Sequence, residues 1–175
     1  MQMRNRGFSL IEIVIAMGII AFALVAIVGM FPVAMKASRD SRDETHAAMI
    51  SQLILGQLRS QVSTNPTFAT GSDPTVASNN LVVNLKPPSV IRYWALYDDT
   101  GQPIRQATTA QFDGSSAVPA PFNQRCAYQA RLTVESEKPI PGISQIKVDV
   151  VYPGTAPAAA RKTNSFVTFM RNSGS

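Results

Sequence analysis

An uninterrupted apolar run near the start of the chain constrains its structure more than any other feature. Residues 13–35 contain no charged side chain, and Pro32 is the only strong helix breaker among them. The run is longer than the roughly 20 residues that a helix needs to cross a bilayer. Its apolar side chains fall on every face, whereas a helix of a soluble core usually keeps one polar face. The run therefore predicts a membrane-spanning helix.

Two other interpretations of the same segment leave one residue unexplained. A cleaved secretory signal has an apolar stretch of only roughly 7–15 residues, with small residues after it. A plain uncleaved anchor fits the length, and Arg4 and Arg6 would then stay on the cytoplasmic side. Neither accounts for Glu12, an acid at the entrance to the run, because a carboxylate at mid-membrane costs about 2.5–3.5 kcal/mol. Acids in such places usually mark a function and a partner.

The residues around Glu12 resemble a known processing signal. Type IV pilins and type II secretion pseudopilins carry an N-terminal signal similar to RGFSLIE at residues 6–12 and the apolar run after it. In that family a prepilin peptidase cleaves after the glycine, and the new terminal residue is N-methylated. The resemblance implies cleavage between Gly7 and Phe8 and methylation of Phe8. It also implies an assembly role for Glu12, whose carboxylate would pair with the N-terminal amine of a neighbouring subunit.

The chain after the apolar run predicts a second, amphipathic half of the same helix. Apolar residues recur there every three or four positions, at Ala47, Ile50, Ile54, Leu58 and Val62. We expect one helix from about Ser9 to Val62. Gly29 and Pro32 are the predicted kink, because proline removes one backbone hydrogen bond. His46, the only histidine, is expected to face solvent on this helix.

Alternating apolar and polar residues predict strands in the rest of the chain. The clearest runs are residues 90–97, 128–135, 146–152 and 165–171, with a shorter one at 81–85. We expect an antiparallel sheet of about four strands, with one wet face and one face covered by the amphipathic helix, and Trp94 in the core. The fold class is α+β, the lollipop layout of pilins. Its predicted parts are the leader 1–7, the membrane or filament-core helix 8–35, the amphipathic helix 36–62 and the head 63–175.

The sequence offers no catalytic, cofactor or metal site. No catalytic or nucleotide-binding fingerprint is present. Cys126 is the single cysteine, so an intrachain disulfide and a thiolate metal site are excluded. Asp98 and Asp99 belong to a turn signal rather than to a calcium site. The basic residues are scattered, which argues against nucleic-acid binding. Residues 105–125 read as a polar loop to which no chemistry is assigned.

The resemblance implies a structural subunit rather than an enzyme, a minor pseudopilin or minor pilin. Its implied partners are other pilin or pseudopilin subunits, the prepilin peptidase and an inner-membrane assembly platform. Its implied location is the bacterial inner membrane, crossed once, with the head in the periplasm. Two alternatives remain open at this point. One is a membrane-anchored periplasmic binding or sensory domain with an uncleaved N-terminus, and the other is a DNA-uptake minor pilin.

Overall fold

The computed structural model describes residues 9–61, 66–69, 80–86, 89–136 and 142–171. The chain divides into two compact units, Met1–Arg42 and Asp43–Ser175. The helices and strands, in chain order, are α1 (Leu10–Ser60), β1 (Thr67–Ala69), β2 (Asn80–Val82), β3 (Ile91–Tyr97), β4 (Pro103–Gln106), α2 (Thr109–Phe112), β5 (Tyr128–Ser136), β6 (Ile143–Tyr152) and β7 (Lys162–Arg171). A long apolar helix followed by an antiparallel sheet confirms the predicted α+β class.

The helix α1 begins and ends within two residues of the predicted bounds. It continues through Gly29 and Pro32 without interruption, so the predicted kink at these residues stays a prediction. In the first unit its apolar side chains are exposed on all faces. In the second unit one stripe of the helix becomes buried, as the three- and four-residue spacing predicts.

Five strands form one antiparallel sheet in the order β4-β3-β5-β6-β7. The four predicted runs correspond to β3, β5, β6 and β7, and the additional strand is β4. Sequence alone missed β4 because it is short and begins with Pro103, a residue that cannot donate to a strand ladder. β1 and β2 make a separate two-stranded sheet, in which β2 matches the start of the predicted run at 81–85. Pro139 and Pro141, the predicted breakers between β5 and β6, lie outside the described residues.

The main core of the second unit lies between α1 and one face of the sheet, as predicted. The buried helix residues are Ala47, Ile50, Ile54 and Leu58. They pack with alternate residues of the strands, which are Ala95, Tyr97, Tyr128, Ala130, Leu132, Val134, Ile146, Val148, Val150 and Tyr152. The period of two along each strand puts these side chains on the same face.

The opposite face of the sheet is covered in part, over β3 and β4, which corrects two predictions. The segment 105–125, predicted as a polar loop, contributes Ala107 and Val118 to a second cluster of buried side chains, which also contains Leu96, Ile104 and Cys126. Trp94, predicted as a core residue, is only partly buried and packs against this second cluster rather than in the main core. The alternation along β3 turns Trp94 away from α1, so its indole needs cover from outside the main core.

His46 is half-buried rather than solvent-facing. Its ring stacks on Tyr128 with centroids 5.9 Å apart and an interplanar angle of 4°. The Tyr128 hydroxyl donates a hydrogen bond of 3.1 Å to Asp43 on the same helix. The prediction failed because the stretch of α1 before His46 is polar and has no apolar period. The burial of His46 comes from Tyr128 of β5, which is distant in sequence.

Candidate functional site

The candidate site lies at the first turn of α1. Ser9 precedes the helix, and its hydroxyl accepts a 3.3 Å hydrogen bond from the backbone N–H of Glu12. In return, the carboxylate atom Oε2 of Glu12 accepts hydrogen bonds of 3.1 Å from the backbone N–H and from the hydroxyl of Ser9. This reciprocal pairing is a capping box, which satisfies helix N–H groups that have no partner inside the helix.

The capping box gives Glu12 a local role that our sequence reasoning missed. The signal was present in the sequence, since Ser9 and Glu12 have the spacing of a Ser-x-x-Glu box before an apolar run. A carboxylate in the first turn also interacts favourably with the positive end of the helix dipole. Both hydrogen bonds from Ser9 end on Oε2. Neither of these bonds uses the other oxygen, Oε1.

The helix after Glu12 is the apolar surface of the site. Large apolar side chains are exposed on every side of it, among them Phe22, Val25 and Met30 at 79%, 73% and 71%. The helix is long and apolar enough to cross a membrane. Residues 13–35 extend for about 34 Å at about 1.5 Å per residue, slightly more than the roughly 30 Å of a hydrocarbon core. This length puts Glu12 at the edge of such a core.

The other predicted residues of the site are distributed as follows. Gly7 and Phe8, the predicted cleavage and methylation residues, lie outside the described residues. Gly29 and Pro32 lie inside α1, about five turns after Glu12, at 3.6 residues per turn. Among the residues of the processing signal that the structure describes, Ser9 and Glu12 are the two joined by side-chain hydrogen bonds.

Asp98 of the predicted turn is held by protein groups. Asp98 Oδ1 accepts hydrogen bonds from the Thr100 N–H at 3.0 Å, the Thr100 hydroxyl at 2.7 Å and the Gln102 N–H at 2.9 Å. Burial alone raises the pKa of Asp98, but these hydrogen bonds lower it below its ordinary value. The predicted turn is confirmed. No group of three metal-ligating side chains occurs among the described residues.

A buried carboxylate lies on the outer face of the sheet, the face away from α1. Asp149 is 1% exposed. It pairs with Arg131 at 2.7 Å and Lys147 at 3.1 Å, and it accepts a 2.5 Å hydrogen bond from Ser165. Burial alone raises the pKa of Asp149, but the bonds from Ser165, Arg131 and Lys147 lower it overall. The Arg131 guanidinium also lies 4.7 Å above the Phe112 ring. The cluster ties three neighbouring strands to α2.

The lone thiol of the head has no sign of reactivity. Cys126 is buried, and burial raises its pKa to about 11. Since the thiolate is the reactive form of cysteine, the protonated Cys126 is a packing residue of the second cluster.

Comparison with known proteins gives one match. Residues 2–28 match the family model described as the prokaryotic N-terminal methylation motif. Neither the curated proteins nor the solved structures gave a match. The matched residues contain the capping box and most of the exposed apolar run. The motif and the long apolar helix after it are features of a pilin- or pseudopilin-type precursor.

Proposed function

We propose that this chain is a minor pseudopilin or minor pilin. The precursor is anchored in the inner membrane by the first half of α1, with its head in the periplasm. A prepilin peptidase cleaves it between Gly7 and Phe8, and Phe8 is then N-methylated. The mature subunit joins other pilin or pseudopilin subunits in a filament of the type II secretion or type IV pilus kind, at an inner-membrane platform. The observation that carries this proposal is the methylation motif at residues 2–28, in register with the apolar helix.

The exposed apolar side chains in the first half of α1 support an apolar environment for this helix instead of water. A Val, Leu, Ile, Phe or Met side chain left in water forgoes about 1.5–3 kcal/mol. From Leu10 to Met35 such side chains are exposed at most positions, so the total amounts to tens of kcal/mol. A head that packed one stripe of the helix would leave the other faces wet. A bilayer, and later the centre of a helical filament, covers all of them.

The first turn of α1 supports the proposed assembly step. Cleavage before Phe8 creates an ammonium group one residue before Ser9. In a filament, the Oε1 atom of Glu12 is available to accept a charge-assisted hydrogen bond from that group on a neighbouring subunit. Such a pair adds little stability overall, but removing one partner leaves a charge without compensation. Glu12 therefore sets the register between subunits more than their affinity.

Mass spectrometry of the N-terminus tests the proposal. The full chain is recovered from cells that contain an active prepilin peptidase and from cells without one. With the peptidase, we expect the N-terminal peptide to begin at Phe8 and to carry one added methyl group. Without it, the peptide should begin in residues 1–7. Intact residues 1–7 in the presence of the peptidase would contradict the proposal and support the uncleaved anchor.

A further inference from the structure

Three cations follow directly after the apolar run of α1. Lys36 comes after Met35, the last residue of the run, and Arg39 and Arg42 follow at intervals of three residues. All three are exposed, and none has a hydrogen-bond or ion-pair partner among the residues that the structure describes. At 3.6 residues per turn, they lie within a sector of about 120° on one side of the helix. We call these three residues the basic face.

The depth of the basic face matches the headgroup layer of a bilayer, which adds about 5–8 Å on each side of the hydrocarbon core. In the proposed membrane anchor, residues 13–35 fill that core, so Lys36 lies at its edge. Arg39 and Arg42 lie about 4.5 Å and about 9 Å farther along the helix axis, at 1.5 Å per residue. Long basic side chains extend from such positions into the polar layer. Their charged groups therefore reach the depth of the lipid phosphates.

The acids of the same stretch do not pair with the basic face. Asp40 and Asp43 each follow a cation by four residues, whereas a helix favours the reverse order, with the acid first. Asp43 is half-buried and accepts a 3.1 Å hydrogen bond from Tyr128. Asp40 is also half-buried and has an interaction of its own. The basic face is therefore open to an anion from outside the chain.

The position of the basic face differs from the usual distribution of charge around a membrane helix. Lys and Arg are normally enriched on the cytoplasmic side. In the proposed orientation, that side has Arg4 and Arg6, whereas the opposite side has the three cations of the basic face. Orientation therefore does not explain the basic face. The proposed cleavage after Gly7 would also remove Arg4 and Arg6, and the basic face would then be the cationic group next to the apolar run.

We propose that the basic face binds the phosphate groups of anionic phospholipids in the leaflet on the head side of the membrane. Arg39 and Arg42 can each donate two parallel hydrogen bonds to a phosphate, and Lys36 acts as a compact charge. The occupant is a lipid because the basic face adjoins the segment that the bilayer covers. This binding would hold the subunit in the leaflet from which a filament extracts it. It rests on the proposed membrane anchor and does not depend on cleavage.

The lipid selectivity of the full chain in vesicles tests this binding. The chain is reconstituted in phosphatidylcholine vesicles with a trace of spin-labelled lipid, either phosphatidylglycerol or phosphatidylcholine. Electron paramagnetic resonance measures the share of each label that the protein immobilises. We expect phosphatidylglycerol to associate about fivefold more strongly, since each headgroup meets about one cation. High salt should lower this ratio toward one, because exposed charges are screened.

Two variants locate the preference at one end of the helix. The triple variant Lys36→Gln, Arg39→Gln, Arg42→Gln should lower the ratio to about twofold or below, since only the cations at the other end remain near the membrane. The double variant Arg4→Gln, Arg6→Gln removes those cations instead and should keep most of the preference.

A further control matches the triple variant in charge. Lys86→Gln, Arg92→Gln, Arg171→Gln removes three exposed cations of the second unit and should leave the ratio unchanged. The fluorescence of Trp94, the only tryptophan, reports whether each variant is folded.

Equal association of the two lipids with the unaltered chain overturns the proposal, as does an unchanged ratio in the folded triple variant. An equal fall of the ratio in the charge-matched control shows a general charge effect and also overturns it. Self-association without lipid preference, abolished in the triple variant, would identify a second copy as the occupant instead. Failure of the chain to insert in vesicles would overturn the proposed anchor as well, whereas insertion without lipid preference would overturn the lipid binding alone.

Discussion

Glu12 is held at the first turn of α1 by two hydrogen bonds from Ser9, both of which end on Oε2. At the scale of single residues, this arrangement shows how an acid can lie at the entrance to an apolar helix. Part of its charge is satisfied by the helix terminus itself, and neither bond from Ser9 uses Oε1, the oxygen proposed to meet a neighbouring subunit. Capping and the proposed pairing can therefore be separated by substitution.

Substitutions at residues 9 and 12 separate the two properties. Glu12→Gln keeps the capping box, because glutamine fills the same position, but it removes the charge. Glu12→Ala removes both. Ser9→Ala keeps the charge and weakens the cap, at a cost of about 1 kcal/mol to the helix. If charge pairing drives assembly, both Glu12 variants should enter the filament fraction poorly, while all three variants still insert in the membrane.

The measurement is the share of each variant in sheared filaments, compared with its share in membranes. Ser9→Ala is the control for helix capping and should enter filaments nearly as well as the unaltered chain. Normal incorporation of Glu12→Gln would show that the cap, and not the charge, is what assembly requires.

Asp149 is a buried carboxylate on the sheet of the head, so its charge requires partners inside the protein. Removing one partner of a buried pair leaves the other charge uncompensated, at a cost of about 3–5 kcal/mol. We expect Arg131→Met to lower the free energy of unfolding by an amount that approaches this cost. Lys147→Met should cost less, about 1 kcal/mol or below, because Lys147 is 42% exposed and its ion pair is screened by solvent.

The effect of Arg131→Met should depend on pH. The pKa of Asp149 is lowered in the folded state, so its contribution to stability is present above the unfolded pKa of about 4. That contribution is lost as the pH falls through the folded value. Urea unfolding of the full chain in micelles, followed by Trp94 fluorescence, measures both variants. We expect the difference in the free energy of unfolding between the unaltered chain and Arg131→Met to shrink at low pH. A difference that stays constant from neutral pH to below the pKa of Asp149 would contradict this account.

At the scale of elements, α1 combines two kinds of helix. Its first part is apolar on all faces and exposed, whereas its last turns bury one stripe against the sheet. The spacing of apolar residues along the sequence is enough to distinguish the two parts. The segment 105–125 shows the opposite case. Its few apolar residues follow neither a helix nor a strand period, so the sequence does not predict their burial. They pack on the outer face of β3 and β5.

Ile54 tests the packing between α1 and the sheet. It is fully buried in the main core, so Ile54→Ala removes apolar contacts and leaves a cavity. We expect a loss of about 2–5 kcal/mol in the free energy of unfolding of the head. Gln52→Ala is the matched control on the same helix, at an exposed position, and should change stability by less than about 0.5 kcal/mol. Equal losses of unfolding free energy for the two substitutions would show that the buried stripe of α1 does not stabilise the head by packing on the sheet.

At the scale of the whole molecule, the two units need different surroundings. The unit Asp43–Ser175 buries a core of its own, whereas the unit Met1–Arg42 exposes its apolar side chains. A chain built in this way is stable in water only if something else covers the first unit. The methylation motif within residues 2–28 is consistent with a membrane as that cover, and the proposed filament would be a second one.

A charge at the middle of the apolar run tests the membrane as cover. A carboxylate at the centre of a membrane helix costs about 2.5–3.5 kcal/mol, so Leu24→Asp should lower the membrane-integrated fraction. Gln52→Asp adds the same charge to the hydrated end of α1 and should have no such effect. The fraction that resists extraction with alkaline carbonate measures both. Full resistance of Leu24→Asp would argue against a membrane-spanning helix.

The sequence by itself determined the features that depend on neighbours along the chain. The apolar run, the stripe of α1, the capping-box spacing of Ser9 and Glu12, and the alternation in four strands are all local patterns, because helix and strand periods are fixed by backbone geometry. The tertiary structure decided the rest. Four features depend on which strands become neighbours. They are the cover that residues 105–125 give to Trp94, the contact of His46 with Tyr128, the pairing of Asp149 with cations, and the position of β7 at the edge of the sheet. That order is set by contacts between residues far apart in sequence, which no local pattern records.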